Sequence, residues 1–404
     1  MNHLAGAGAE ARQGSAAEVF LVFLKLGLTS FGGPIAHLGY FRDELVARRR
    51  WLDDHAYADL VALCQFLPGP ASSQVGFALG MIRAGWPGAL AAFAAFTLPS
   101  ALILLIFALT ATAIDGQLGL GVLHGLKIVA VAIVAQAVWG MAKSLCPDRE
   151  RAAIAVVAVA VLAFVPRGAG MIAAILLGAA IGLILGRGAG RPADESVTVP
   201  VSRRVAGTAI FAFFALLVLL PIVAGQSQAL AVVDSFYRAG ALVFGGGHVV
   251  LPLLDAEVVQ RGWVDPDSFL AGYGAAQAVP GPLFTFAAYL GAVLKPEPNG
   301  IAGAALALMA VFLPGFLILV GILPFWNRFR TMAPAQSLMQ GANAAVVGIL
   351  GAALYSPVFT GAITDLRDLA LALACFVGLM AWRAPPWMIV IIAAIGGAGL
   401  ALVR

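Results

Sequence analysis

Two stretches, Gln65-Phe66-Leu67-Pro68-Gly69-Pro70 and Gln277-Ala278-Val279-Pro280-Gly281-Pro282, set a proline-glycine-proline triplet inside apolar sequence. Proline removes a backbone donor and clashes with the preceding turn, so a helix stops at or before Pro68 and Pro280. Proline also suits the first position of a new helix, so Pro70 and Pro282 can start one. Each stretch therefore predicts helix, break, helix. In lipid, a broken helix survives only where its freed backbone groups are buried in protein or line a cavity. The two breaks are the first candidates for function.

The surroundings of the breaks are membrane-like. Of 404 residues, 61% are hydrophobic and 11% charged, against about 25% charged in soluble proteins, and mean hydropathy is +0.97. Several uncharged windows reach the roughly 20 residues that a spanning helix needs. Sustained apolar/polar alternation is absent, which argues against an outer-membrane barrel. A formal charge of +4 reads as loop charge that sets topology, not as a nucleic-acid signal. Three cysteines, Cys64, Cys146 and Cys375, suggest neither a disulfide frame nor a metal site. The first 17 residues have no apolar core, so no cleavable signal peptide is expected. No cofactor is expected.

The predicted fold class is an all-α polytopic membrane protein with two inverted-topology repeats and broken, re-entrant helix hairpins. A tail (1–16) precedes a first transporter repeat (17–186), a cytoplasmic linker (187–204), a connecting transmembrane helix (205–223) and a second, inverted repeat (229–402). Segments 57–67 and 71–82 are each about half a span and predict a re-entrant hairpin. Four further apolar segments follow near 87–113, 118–144, 152–165 and 169–186. Whether 17–47 and 229–259 cross fully or turn back stays open.

The duplication rests on rare residues in one register. Phe23 and Phe31-Gly32-Gly33 recur as Phe236 and Phe244-Gly245-Gly246, and Glu44 recurs as Glu257, all 213 positions on. Trp51, Asp53, Gln65, Pro68, Gly69 and Pro70 recur 212 positions on as Trp263, Asp265, Gln277, Pro280, Gly281 and Pro282. Pro99 matches Pro314, and Gly125-Leu126-Lys127 matches Gly341-Ala342-Asn343. Shared Trp, Gln and Pro at fixed spacing is a duplication signal that shared Ala or Leu would not be.

Positive charge assigns sides. The loop around Trp51 carries Arg42, Arg48, Arg49 and Arg50, whereas the loop around Trp263 carries Arg261 among Asp255, Glu257, Asp265 and Asp267. The first is expected inside and the second outside. Lys143, Arg149, Arg151, Arg328, Arg330 and Arg383 then fall inside, and Arg404 ends outside. The unmatched span at 205–223 is the odd crossing that inverts the second half. Inverted repeats with broken helices recur in secondary transporters, with the site near the midplane.

The expected site follows from these breaks. Helix starts after Pro70 and Pro282 would aim unpaired N–H groups and dipole-positive ends into the protein, which favours anions. Ser72 and Ser73 add hydroxyls to the first and Thr285 to the second, while Gln65 and Gln277 face them. Lys25 and Arg238 occupy matching positions in each repeat's first helix. A cation in a membrane helix is expensive unless partnered, so these two are either substrate ligands or side chains snorkelling to the interface. His37, His248, Glu44, Glu257, Lys127 and Asn343 form a second set, a polar or proton relay. Their bland alternatives are cavity polarity for the histidines, solvated interface groups for the glutamates and an interhelical hydrogen bond for Lys127 and Asn343. The breaks themselves could serve only to shape packed hairpins.

With Thr29-Ser30-Phe31-Gly32-Gly33-Pro34, Gln65 to Pro70, Gly125-Leu126-Lys127, Phe244-Gly245-Gly246-Gly247-His248 and Gln277 to Pro282, the chain resembles the chromate ion transporter family, in its long, two-domain form. The resemblance covers about residues 17–402. It implies chromate export through a bacterial inner membrane, with sulfate as a similar anion. The substrate-binding set expected from the breaks, the repeated Phe-Gly-Gly turns and the matched cations is Lys25, Ser30, Gly32, Gly33, Gln65, Pro68, Gly69, Pro70, Ser72, Ser73, Arg238, Gly245, Gly246, Gln277, Pro280, Gly281, Pro282 and Thr285. The second half departs at Gly247, which matches Pro34, and at Phe284, which matches Ser72. If the anion is held symmetrically, these departures make the two contributions unequal.

The partners implied are an oxyanion, the bilayer and no nucleic acid, with room for a homodimer. An anion channel of the same fold remains an alternative. A membrane-embedded enzyme would need a carboxylate or His/Asp cluster. Asp53-Asp54-His55 with Asp59 is such a cluster, but the second repeat keeps only Asp265 and Asp267 there, so no catalytic residues are expected.

Overall fold

The computed structural model describes residues 14–111, 116–165, 167–188 and 201–403. Residues 1–13 of the tail, 189–200 of the linker and the terminal Arg404 lie outside the described residues, as does the side chain of Arg330. The described residues are helices and turns with no strand, and seven of the helices are long and apolar enough to cross a membrane.

Helix α1 (Ala16–Thr29) starts under Ser15, whose hydroxyl accepts the Glu18 N–H at 3.1 Å. It ends at Ser30, where Gly32 and Gly33 take φ values of 101° and 79°. Only glycine reaches such values without a Cβ clash, and Pro34 then opens helix α2 (Gly33–Phe41). Helix α2 runs into a π-helical turn, Arg42–Arg48. Lys25 meets Glu44 at 2.9 Å, and the Phe23 and Phe41 rings lie 5.5 Å apart. The chain has therefore turned back: 17–47 is a re-entrant hairpin, not a crossing.

Asp53 caps helix α3 (Asp54–Phe66) by accepting the Ala56 N–H at 2.7 Å. The chain breaks at Leu67–Pro70, with Gly69 at φ 113°. Helix α4 (Ala71–Ala111) bends at Ala84 and Gly85 into a short first limb and a long second limb. Arg83, at the bend, bonds Glu18 at 3.1 Å and stacks over Trp51 at 5.3 Å. The starts of α1 and α3 and the end of the short limb thus share one membrane side. Helices α5 (Gly116–Leu145), α6 (Arg149–Phe164) and α7 (Arg167–Leu185) complete the repeat.

Helix α8 (Arg203–Val223) is the unmatched span, and the same plan then repeats. Helix α9 (Gln228–Ala241) breaks at Gly245 and Gly246, and the chain returns through α10 (Val250–Leu254) and a π-helical turn at Asp255–Val259. Arg238 to Glu257, 2.8 Å, closes this hairpin as Lys25 to Glu44 closes the first. Helix α11 (Pro266–Ala276), the second triplet and α12 (Phe286–Ala292) form the next hairpin. Helices α13 (Gly300–Ile322), α14 (Trp326–Thr331), α15 (Ala333–Ala353), α16 (Thr360–Ala362), α17 (Leu366–Met380) and α18 (Pro386–Val403) follow.

Ion pairs show the inversion. Lys127, the twelfth of the 30 residues of α5, bonds Asp267 at 2.9 Å, so the α11 hairpin opens beside the first half of α5. The other end of α5 leads to Glu150, which holds Arg187 at 2.7 Å. At 1.5 Å per residue the stretch of α5 from Lys127 to Leu145 rises about 27 Å, close to the thickness of a bilayer's hydrocarbon core. The two hairpin pairs therefore open on opposite faces.

The repeats also exchange their outer helices. Helix α7 lies along α15, and α18 lies along α5. These contacts are backbone-close: a Cβ on Gly125 would stand 2.1 Å from the Ala393 carbonyl oxygen, and one on Gly341 2.0 Å from that of Gly178. Lipid tails supply no hydrophobic drive for helix pairing, so small residues that permit close packing supply dispersion instead. Gly125 and Gly341 are register mates, and each opens the seam for the opposite repeat.

Candidate functional site

The tips of the broken hairpins meet inside the protein. The Gly281 N–H donates to the Ser30 carbonyl at 2.9 Å, and the Gly69 N–H donates to the Val243 carbonyl at 2.8 Å. Ser30 and Val243 are register mates, as are Gly69 and Gly281. Each triplet glycine thus caps the first broken helix of the other repeat, satisfying a carbonyl that would otherwise be stranded in an apolar interior.

Around the first break the donors outnumber their partners. Gln74 N–H returns to the Pro70 carbonyl at 2.9 Å, so helical bonding begins there and the N–H groups of Ala71, Ser72 and Ser73 have no acceptor within the helix. Ser72 Oγ lies 3.3 Å from His37 Nδ1. Gln74 Nε2 donates to the Pro68 carbonyl at 3.0 Å and the Gly315 carbonyl at 2.8 Å, tying the break to α13. Ser30, His37, Gln74, Ser72, Ser73 and Thr97 are all buried. Ser73 Oγ and Gln74 Oε1 on the helix start, His37 Nε2 on the ring that meets Ser72, and Ser30 Oγ have no hydrogen-bond partner, nor has Thr97 Oγ1, which lies by Ser100 on the side of Gly281. A buried polar atom left unmatched costs on the order of 1–3 kcal/mol, so such a cluster fits a site that a ligand completes. It offers hydroxyl, imidazole and backbone donors beside one amide acceptor, Gln74 Oε1, with no carboxylate among the residues named.

The second break is built differently. Leu283–Thr285 forms a 3-10 turn and α12 is only seven residues long. Thr285 Oγ1 donates back to the Pro282 carbonyl at 2.7 Å, so its hydroxyl is already used. Ser30, His37, Ser72, Gln74 and Thr97 have Val243, Val250, Phe284, Phe286 and Phe312 at matching positions, all buried. The expected pair of equivalent half-helix starts is therefore one donor-rich start and one apolar counterpart. Polarity on this side comes from His248, whose Nδ1 lies 2.8 Å from the Tyr273 hydroxyl and whose Nε2 lies 3.9 Å from where a Cβ on Gly33 would stand.

The remaining expected residues fall into three places. Gly32, Gly33, Gly245 and Gly246 form the hairpin turns, and Asn343, with Oδ1 unpartnered, lies beside the second of them, 3.6 Å from where a Cβ on Gly245 would stand. Gln65 is exposed and Gln277 is half-buried with Nε2 unpartnered, and the glutamine that hydrogen-bonds across the first break is Gln74. Lys25 and Arg238 are ion-paired toward the hairpin mouths. Glu44 takes Lys25, Arg48 at 3.2 Å and Arg49 at 2.8 Å, while Glu257 takes Arg238 and Arg261 at 3.0 Å. Both glutamates are 8% exposed, which corrects the expectation of solvated interface groups. Lys127 is paired with Asp267 beside a cavity of about 800 Å³.

Asp53 is spent as a helix cap, Asp54 holds Arg42 at 2.7 Å, and Asp59 accepts from Trp326 at 3.2 Å. Sequence reading passed over Gln74, Thr97, Asp234 and Asp368. Asp234 was legible, because it stands one helical turn before Arg238 and pairs with it. Asp368, fully buried, takes His124 at 2.9 Å and the Thr364 N–H at 3.0 Å, a pairing between helices far apart in sequence that no local pattern announces.

A membrane fold of two inverted repeats, with crossed helix breaks around buried donors, defines the class: a polytopic transporter. The chromate transporter family matches the chain twice, at residues 17–183 and 230–398, and the chain belongs to that family. It is 30% identical to the chromate transport protein of Pseudomonas aeruginosa, over 95% of this chain and 91% of that protein. It is 28% identical to the probable chromate transport protein of Synechococcus elongatus, over 93% of both chains. It is 27% identical to the chromate transport protein of Cupriavidus metallidurans, over 91% of this chain and 88% of the relative. No solved structure matches the chain significantly.

Proposed function

We propose that this protein exports chromate across a bacterial inner membrane, accepting sulfate as a similar tetrahedral dianion. The observation that carries this reading is the first break: a helix start with unused N–H groups, surrounded by buried hydroxyl and imidazole atoms without partners. In this reading the anion sits near the midplane. It accepts from the N–H groups of Ala71, Ser72 and Ser73 and from the hydroxyls of Ser30 and Ser73. Dipole and donors act in a dry interior, where they hold an anion more firmly than in water. Arg48, Arg49, Arg50, Arg83, Arg151 and Arg187 lie toward the α1 face, which supports a cytoplasmic N-terminus and an external C-terminus. The units proposed are repeats at 17–186 and 229–402 joined by the helix at 205–223. No catalytic residue is assigned.

Flux of chromate and of sulfate into proteoliposomes, measured against a concentration gradient and after a pH jump, tests the reading. Accumulation above equilibrium supports a coupled transporter. Flux that only runs down its gradient makes the protein a channel, and absence of flux for both anions overturns the reading. Pro68→Ala/Pro70→Ala lets the helix run on through the break, since alanine restores the donors and favours helix. Chromate binding is expected to be lost in that variant. Parental export by it would mean that the breaks serve packing alone.

A further inference from the structure

The two hairpin mouths are register mates, but their charge differs. On the α1 face, Lys25, Arg48 and Arg49 surround the single carboxylate of Glu44. Arg42 is bound to Asp54, and Arg83 to Glu18, so neither adds to this group. On the opposite face Arg238 and Arg261 share Glu257, and Arg238 also holds Asp234. Three cations on one carboxylate leave an excess of two positive charges, whereas two cations on two carboxylates leave none. The cations of the first cluster are also uncovered by protein: the Lys25 side chain is 51% exposed and that of Arg48 69%. An ammonium has three donors and a guanidinium five, and Glu44 takes only one from each. Lys25 stands five residues before Ser30 on α1, a rise of about 7.5 Å, so the cluster lies on the way to the buried donors of the first break.

We infer that Lys25, Arg48 and Arg49, held together by Glu44, form a loading site for a dianionic oxyanion on the α1 face, and that the charge-balanced Arg238 cluster is the release mouth. This rests on the proposed transport of oxyanions and names the side from which the site is filled. A dianion neutralises the excess charge and bridges donors that Glu44 leaves unused. At the opposite mouth Asp234 and Glu257 already neutralise the arginines, so an arriving anion finds no net attraction and a departing one is not retained. Focused charge of one sign raises the local concentration of its counter-ion and its capture rate.

The test is chromate flux through the full-length protein in proteoliposomes sorted by orientation, with KM measured from each face at low and high salt. Arg48→Gln/Arg49→Gln should raise KM on the α1 face by about tenfold or more at low salt. It should leave flux at saturating chromate and KM on the opposite face unchanged, and it should flatten the salt dependence. Arg48→Lys/Arg49→Lys keeps the charge and should restore most of the affinity, which a merely structural role for the guanidinium groups would not allow. Arg261→Gln should not change KM on the α1 face. An unchanged KM in the glutamine variant, or an equal rise from both faces, overturns the loading site while parental flux keeps the transport reading intact. If the parental protein carries neither chromate nor sulfate, the transport reading fails and the loading site fails with it.

Discussion

The backbone N–H of Gly281 donates to the carbonyl of Ser30 across the two repeats at 2.9 Å, and Gly69 to Val243 mirrors it at 2.8 Å. Both glycines have left-handed φ, 99° and 113°. A Cβ on Gly69 would stand 2.9 Å from the Cα of Gly315, and one on Gly281 2.9 Å from Ser100 Oγ. Gly69→Ala should therefore lower the thermal midpoint in detergent, at a backbone cost of about 1–3 kcal/mol. Gly281→Ala/Ser100→Ala removes that steric contact but not the φ strain, so it should recover only part of the Gly281→Ala loss.

Hydroxyls at the two breaks should not be equivalent. Ser73 Oγ is buried without a partner, whereas Thr285 Oγ1 already donates to Pro282. Ser73→Ala should weaken chromate binding by roughly 10- to 100-fold, the loss of one charged hydrogen bond of about 1.5–3 kcal/mol. Thr285→Ala should change it little. Equilibrium binding on purified protein decides, and a larger effect at Thr285 would move the anion to the second break.

The two hairpin cations differ in what their loss leaves behind. Arg238→Gln strands Asp234, 3% exposed, and leaves Glu257 with Arg261 alone. Breaking a buried pair from one side costs about 3–5 kcal/mol, so this variant should show reduced yield and a lower melting midpoint. Adding Asp234→Asn should recover part of the loss. Lys25→Gln leaves Glu44 with Arg48 and Arg49, so it should insert and melt normally while transport falls. Normal transport in Lys25→Gln would make that lysine an interface group.

The exchanged helices give a packing test. Gly125→Leu places side-chain atoms where the α18 backbone lies, since even a Cβ would be 2.1 Å from the Ala393 oxygen. It should prevent stable assembly, and Gly341→Leu should do the same at the α7 seam. Gly140→Leu, where nothing lies within 4 Å, should be tolerated. Yield and monodispersity by size-exclusion chromatography report the outcome.

Sidedness can be read with single cysteines at positions 49 and 261 in a background lacking Cys64, Cys146 and Cys375. An impermeant reagent on intact cells should label position 261 alone. Labelling at both positions would contradict hairpins opening on opposite faces, and labelling at 49 alone would reverse the orientation.

Much of this architecture is local and therefore visible in one dimension. Pro68 and Pro70 stop and restart a helix wherever they stand, because the missing N–H and the ring clash need no distant partner. Uncharged apolar windows require a bilayer for the same local reason. Register mates such as Lys25 with Arg238, and Glu44 with Glu257, carry the duplication directly. What only the tertiary structure decided are relations between surfaces distant in sequence. Segment 17–47 is a hairpin because Lys25 finds Glu44, and Gly69 meets Val243 because two inverted repeats cross. Gln74 ties the first break to α13 because of where Gly315 lies, and α18 rests on α5 because the repeats exchange ends. The second break is closed by Thr285 turning back on Pro282, beneath buried Phe284 and Phe286. Side-chain partners of this kind depend on three-dimensional approach, which hydrophobic period and proline position leave unspecified.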